Sequence, residues 1–427
     1  MAKALVISAL KSGEGKTLVT LGLLRLLRKR GLKIQPFKVG PDYIDPKWHT
    51  LASGLPSYNL DLFAMSPEGL RNFFYSKIEG VDWAIVEGVM GLFDGSYSTF
   101  RVAKALNIPV VLVIDSYGLA ESVGPLIRGI TERLKRANLA YGILLNRVSS
   151  ERHLLRLCKA IRREPLLGYL PLEKALELPS RHLGLLRPED VSYAQEIVDK
   201  VAETLERGLN LELIEKFSQR AYPKGKVPQF LPRLPYTKIA IAFDRVFNFY
   251  YQHLLEELKN QAEVSTFSPL EDEAIPSGVQ AIYIGGGYPE LFAKELTSNK
   301  KMLRELKLWI ETGCPLYAEC GGLIYLSKLL DWEGKRYSLV GALPFYIRKG
   351  SLSLGYRLVK PLEKIPFFEC QAPFFTHEFH YTQIIESTAR NLRRIYLVKT
   401  LDKFTYQEGF RYKNTLASYL HLIAFKF

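Results

Sequence analysis

Two groups of residues in this 427-residue chain have the types and spacing to do chemistry. The first is Leu10-Lys11-Ser12-Gly13-Glu14-Gly15-Lys16-Thr17, at the end of an apolar run over residues 4–10. Gly13 and Gly15 let backbone N–H groups close around an anion, Lys16 reaches outer phosphates, and the Thr17 hydroxyl offers magnesium an oxygen. The second is Ala318-Glu319-Cys320-Gly321-Gly322, directly after Cys314-Pro315-Leu316-Tyr317, with His421 far along the chain. Small residues two before and two after Cys320 permit a tight, strained strand-to-helix turn. The helix N-terminus then favours thiolate, and His421 is the candidate base, near in space and not in sequence. Backbone N–H groups of Gly321 and of Gly285-Gly286-Gly287 are candidates for an oxyanion site. One module is suited to spending ATP, the other to taking an acyl group from an amide.

Magnesium requires hard oxygen ligands beyond the threonine, and acids at the C-terminal ends of neighbouring parallel strands are the natural suppliers. Asp42 and Asp45 in KVGPDYIDP, with Glu87 and Asp94 in VEGVMGLFDG, occupy such places. Asn146, ending the run ILLN, reads either as a hydrogen-bond partner for adenine or as a strand-end cap. The segment Thr376-His377-Glu378-Phe379-His380 lacks a third ligand and a shared helical face, so a substrate or interdomain contact is expected there and not a metal.

These groups need elements to position them. Short β-branched runs at 4–10, 34–38, 83–87, 109–115 and 142–146 alternate with helix-period segments such as 18–29 and 120–137. Alternation of that kind predicts a parallel sheet covered by helices on both faces. Runs apolar at every position, as in Val110-Val111-Leu112-Val113-Ile114, suit strands buried on both sides. The stretch YPKGKVPQFLPRLPY then breaks the periodicity and reads as a linker over 221–237. A second α/β unit follows, with strands at 238–242, 280–284 and 315–318 and a helix over 323–330. The expected fold is α/β in two domains: a phosphate-loop domain at 1–220 and a second α/β domain carrying the cysteine elbow at 238–427.

Composition narrows the class. Apolar content of 47% and charged content of 24% are those of a globular protein, and no apolar stretch approaches a membrane-spanning length. The N-terminal run is interrupted by Lys11 and Lys16, so a first strand is expected and not a signal peptide, with a cytoplasmic location. Four cysteines without a CxxC pair argue against zinc and against a disulfide framework. The net charge of +14 attracts anions, but no dense basic run with interleaved aromatics marks a nucleic-acid surface.

KVGPDYIDP, VEGVMGLFDG, LPSRHLGL, ECGGLIYL, LGYR, HEFHY and ASYLHL occur here in that order. Together they resemble the signature of the cobyrinic acid a,c-diamide synthase family over essentially the whole chain. The resemblance implies a dethiobiotin synthetase-like domain followed by a class I glutamine amidotransferase-like domain. It implies glutamine-, ATP- and Mg2+-dependent amidation of the a and c acetate groups of cobyrinic acid, or of a related macrocycle, in cobalamin biosynthesis. Carried over residue by residue, Cys320 is the glutaminase nucleophile and His421 raises its nucleophilicity. Thr17, Asp45 and Glu87 match metal and phosphate positions, and Asp42 and Asp94 match acids near the reacting carboxylate. The same motifs suit nickel-sirohydrochlorin as the substrate. This sequence departs from the family where Ile423 replaces a second histidine. Lys11 also gives the loop a look of the ParA- and MinD-type switch ATPases, whose extra lysine reaches across a dimer. A switch ATPase is the rival from another class, and a homodimer stays an open expectation.

Overall fold

The computed structural model describes residues 2–179, 185–221, 225, 227–387 and 392–426. The chain divides into two compact units, Met1–Pro228 and Gln229–Phe427.

In the first unit the runs apolar at every position become strands β1 (Ala2–Ala9), β2 (Ile34–Val39), β3 (Tyr58–Leu60), β4 (Trp83–Glu87), β5 (Val110–Asp115), β6 (Tyr141–Val148) and β7 (Leu166–Pro171). Their sheet order is β3-β2-β4-β1-β5-β6-β7, and each neighbouring pair is parallel. A short strand, Gln219–Ala221, pairs antiparallel with β1. Because β1 lies between β4 and β5 with both faces buried, Leu5, Val6 and Ile7 are fully inaccessible. Helix α1 (Lys16–Lys29) starts directly from the glycine turn, with Gly15 as its N-cap at φ 98°. That positive φ favours glycine, and no cap side chain is needed because an anion can take the free N–H groups. Gly22 on α1 lets the helix Ala194–Gly208 approach closely, since a Cβ there would meet Val201 Cγ1 at 2.9 Å. Helix α2 (Asp45–Ser53) follows β2, so the parallel topology carries the candidate acids to the edge where α1 begins.

The second unit has a parallel core in the order Glu263–Phe267, Lys238–Ala242, Ala281–Ile284, Leu316–Glu319 and Thr415–Ser418. Beyond it the sheet turns antiparallel through Thr405–Tyr412, Arg393–Thr400 and the long strand Leu343–Pro361, which also pairs with Phe374–Ser387. The expected helix over 323–330 is corrected: the helix is Gly321–Leu326, and Ser327–Trp332 is a strand. Pairing of that strand with Lys335–Ser338 and Leu343–Pro361 outweighs local helical periodicity. Within the proline-rich stretch, Phe230, Leu231 and Leu234 are buried, and the Phe230 and Leu231 amides donate to the Glu257 carboxylate. Among the described residues no helix is long and apolar enough to cross a membrane.

Candidate functional site

At the phosphate loop, Gly13 (φ 80°) and Gly15 (φ 98°) adopt conformations that side chains disfavour. The loop is braced from within by Glu14, whose Oε2 accepts the Leu10 amide at 2.8 Å. It is braced from β6 by Asn146, whose Nδ2 donates to the Glu14 carbonyl at 2.9 Å. The contact is so close that a Cβ on Gly15 would meet Asn146 Nδ2 at 2.2 Å, so the loop requires glycine there. Lys16 Nζ donates to the Lys11 carbonyl at 3.0 Å, and burial, then the nearby Lys38, lowers its pKa.

Three of the four expected acids converge, and they converge on a lysine. Lys38 Nζ, on β2, lies 2.5 Å from Asp45 Oδ2, 2.8 Å from Glu87 Oε1 and 3.9 Å from Asp42 Oδ2. The Thr17 hydroxyl donates to Glu87 Oε1 at 2.6 Å, and His49 Nε2 contacts Glu87 Oε2 at 2.7 Å. Burial opposes the Lys38 charge, but Asp45, Glu87 and Asp42 outweigh it and raise the pKa. Burial likewise opposes ionisation of Glu87, yet Lys38 and His49 hold it well below the usual carboxylate range. Asp45 moves the other way, raised by burial and then by Asp42. The cluster therefore holds more negative charge than Lys38 neutralises. Asp42 also caps the turn into α2, its Oδ1 accepting the Ile44 and Asp45 amides. Asp94 stands apart from Lys38, accepting the Gly91 amide at 2.8 Å beside the Leu10 carbonyl.

The oxygens of Thr17, Asp45 and Glu87 and the excess negative charge are chemistry that fits a hard divalent cation. Among the described residues no cluster of three or more His, Cys, Asp or Glu side chains is already arranged around one point. The Lys38 ammonium stands at the centre instead.

In the second unit Cys320 ends the strand Leu316–Glu319 at φ 45°, ψ −98°, the strained turn expected of a nucleophile elbow. Its amide donates to the Ser418 carbonyl at 2.7 Å, and the Leu422 amide donates to Glu319 Oε1 at 2.9 Å. The elbow is thus clasped to the chain on both sides of His421. Glycine supplies the room: a Cβ on Gly286 would meet His421 Cε1 at 2.2 Å, and one on Gly321 would meet Gly287 N at 2.9 Å. The expectation of a favoured thiolate is corrected. Burial, then Glu290 and Glu319, push the Cys320 thiol well above its ordinary pKa, and the following helix spans only six residues. His421 is lowered to about 3, by burial and then by His377 and His380, so the imidazole rests neutral.

HEFHY lies on the strand Phe374–Ser387, where His377 pairs with His421 in the backbone register. Cys320 Sγ contacts the Phe379 carbonyl at 3.6 Å. Glu378 accepts from Arg357 Nε at 2.8 Å and Tyr406 Oη at 3.1 Å, and His380 Nε2 lies 2.9 Å from its other oxygen. Glu378 and His380 share one face of the strand while His377 stacks with Phe379, so the two histidines do not form a ligand pair. Of LPSRHLGL, residues 180–184 lie outside the described residues.

Lys38, His49, Glu319 and Arg357 took no role in the sequence reading. The signal for Lys38 was a charged residue inside the expected buried strand Ile34–Val39, which must be paired if buried. Glu319 carried a similar signal, as an acid at the end of a buried strand.

Two family models match. Residues 5–186 match the CobQ/CobB/MinD/ParA nucleotide binding domain, and residues 238–427 the CobB/CobQ-like glutamine amidotransferase domain. Curated relatives extend the likeness over both units. The chain is 40% identical to the cobyrinate a,c-diamide synthase of Caldanaerobacter subterraneus subsp. tengcongensis, over 99% of this chain and 95% of that one. It is 38% identical to the protein of that name from Listeria innocua, over 98% and 95%. For the one from Saccharolobus solfataricus the identity is 35%, over 98% and 97%.

Proposed function

We propose that this chain, which belongs to the cobyrinate a,c-diamide synthase family, uses glutamine and ATP to amidate the a and c acetate carboxylates of cobyrinic acid in cobalamin biosynthesis. The observation that carries the proposal is that similarity to enzymes of that name runs across both sites of the chain, the nucleotide loop and the thiol elbow alike. Residues 1–220 activate the acid and residues 238–427 release the nitrogen.

A carboxylate resists ammonia because oxide is a poor leaving group. Transfer of the ATP γ-phosphoryl to the carboxylate gives an acyl phosphate, from which ammonia displaces phosphate. Lys16 and the loop amides hold the phosphates, and Lys38 holds Asp45 and Glu87 beside them. Thr17, Asp45 and Glu87 would hold Mg2+, which would supply charge stabilisation at the phosphates. In this reading Asp42, beside Lys38, and Asp94, bonded to the Gly91 amide, orient the acid substrate.

In the other unit the Cys320 proton passes to His421 as sulfur attacks the glutamine amide carbon. His421 then protonates the departing ammonia, and water hydrolyses the thioester to glutamate. Burial holds the resting pair as a neutral thiol and a neutral imidazole.

The test is product mass spectrometry after incubating cobyrinic acid with ATP, Mg2+ and either glutamine or ammonium salt. Two added amides are expected with either nitrogen source. Cys320→Ala should lose the glutamine-supported reaction and keep the ammonium-supported one. Loss of both in that variant would refute two separable sites, and turnover of nickel-sirohydrochlorin in place of cobyrinic acid would reassign the substrate.

A further inference from the structure

A histidine that takes a proton from a thiol works only when its ring is held in one tautomer, usually by an acid at Nδ1. The position two residues after His421 holds Ile423, which is apolar, buried and bonded through its carbonyl to His253 Nε2 at 2.9 Å. An acid stands elsewhere. Glu319 Oε2 lies 3.8 Å from His421 Nδ1, with both side chains almost fully buried, at 2% and 1% exposure.

We propose that Glu319, the residue immediately before the nucleophile, is the positioning residue that accepts the Nδ1–H of His421 and leaves Nε2 as the base for Cys320. The proposal rests on the glutaminase reading and deepens it. Three further contacts support it. The other carboxyl oxygen of Glu319 takes the Leu422 amide at 2.9 Å, so the acid grips the backbone beside the histidine it orients. The Tyr283 and Tyr317 hydroxyls lie beside the same carboxyl and favour its charged form. Gly286 closes the opposite side, where any side chain would displace the imidazole. The separation of 3.8 Å is a close contact between a neutral imidazole and a carboxyl, and not a hydrogen bond. It is the kind of geometry that tightens when a substrate brings charge onto the ring. Nucleophile and orienting acid are then consecutive residues, so one strained turn sets both against the histidine.

Glu319→Gln tests this in the full chain, because glutamine keeps the volume and can still accept the Leu422 amide. Glutaminase kcat is expected to fall by about 10²- to 10⁴-fold, as when an amide in place of the triad acid sets the wrong histidine tautomer, while KM for glutamine stays within about threefold. The pH profile of iodoacetamide alkylation at Cys320, followed by peptide mass spectrometry, should shift relative to the parent chain, and Glu319→Asp should restore part of kcat. A kcat within about threefold of the parent, or a loss confined to KM, overturns the proposal. If Glu319→Gln does not fold, imidazole NMR of the unsubstituted protein decides: the Nδ1–H tautomer of His421 upholds the assignment and the Nε2–H tautomer overturns it. Failure of the unsubstituted chain to hydrolyse glutamine at all would overturn the parent reading, and this one with it.

Discussion

The two sites stabilise charge in opposite ways. The nucleotide site is saturated with formal charge before any substrate arrives: Lys38 sits among Asp42, Asp45 and Glu87, and Thr17 and His49 take what is left of Glu87. The thiol site holds nearly the same residue types close to neutrality. Burial raises Cys320, raises Glu319 to about 8 and lowers His421 to about 3. A site that moves a phosphoryl group must meet charge already present on its substrate, so preset charge helps. A site that opens a neutral amide creates charge only during attack, and a group ionised beforehand would be costly to bury. The contrast makes one site dependent on balance and the other on position.

The largest effect should come from upsetting the balance. Lys38→Met removes the one ammonium within bonding distance of both Asp45 and Glu87 among the described residues. Breaking a buried pair in this way typically costs about 3–5 kcal/mol. ATP-dependent amidation should fall by more than about a thousandfold with either nitrogen source, since phosphoryl transfer loses a fixed charge. Urea unfolding and an ammonium-supported assay read the two consequences. Wild-type amidation by this variant would mean that the acids need no internal counter-ion.

Upsetting position should cost less and only on one side. Gly286→Ala places a methyl where His421 Cε1 now lies, at 2.2 Å from the ideal Cβ. A misplacement of that size should lower glutaminase kcat by about 10²-fold, with ammonium-supported amidation unchanged. If glutamine use survives, the ring is not held where the glycine cradle puts it.

The pH dependence of stability separates the units further, by about tenfold in amide protection. Glu319, raised to about 8, keeps in the folded chain a proton that the unfolded chain gives up near the ordinary value of 4.5. Between those values the unfolded state binds fewer protons, so stability falls as pH rises. Glu87 has the opposite sign, being held low. Its contribution is complete above about pH 4.5 and is lost only as the solution becomes more acidic. Asp45, raised by burial and then by Asp42, has the sign of Glu319 and works against the contrast. Hydrogen exchange corrected for intrinsic rates should show Leu316–Glu319 losing protection relative to Trp83–Glu87 from pH 5 to 8, and Glu319→Gln should flatten that loss.

The same contrast explains what could be read from sequence. The phosphate loop is local: glycines, lysine and threonine lie within eight consecutive residues, and their spacing alone implies the chemistry. The strands of the first unit were legible because parallel strands buried on both faces read as unbroken apolar runs. Lys38 was hidden by its own strand, since pairing with Asp45 and Glu87 depends on sheet order and not on spacing. The second unit was less legible, because its antiparallel extension is specified by cross-strand partners far apart in sequence. Cys320 was visible from its flanking glycines. Glu319 was printed in the same motif, yet only the pairing of Leu316–Glu319 with Thr415–Ser418 brings it to His421.

Asn146 gives the finest distinction, because the sequence left two readings for it and the structure supplies a third contact. Its amide holds the Glu14 carbonyl at 2.9 Å, and its Oδ1 accepts the Arg147 amide at 2.9 Å, so both ends of the side chain are engaged. A brace of this kind acts on the phosphates through the loop and is indifferent to the base. An adenine contact would act on the base and be indifferent to the loop. Asn146→Ala should therefore raise KM about threefold to tenfold for ATP and for GTP alike, the loss of one buried hydrogen bond. The two effects separate cleanly in the ratio of kcat/KM for ATP to that for GTP. A ratio unchanged from the parent chain makes Asn146 part of the loop's scaffold. A ratio that collapses toward one makes it a reader of adenine, and would place base selection in a residue that also fixes the phosphate cradle.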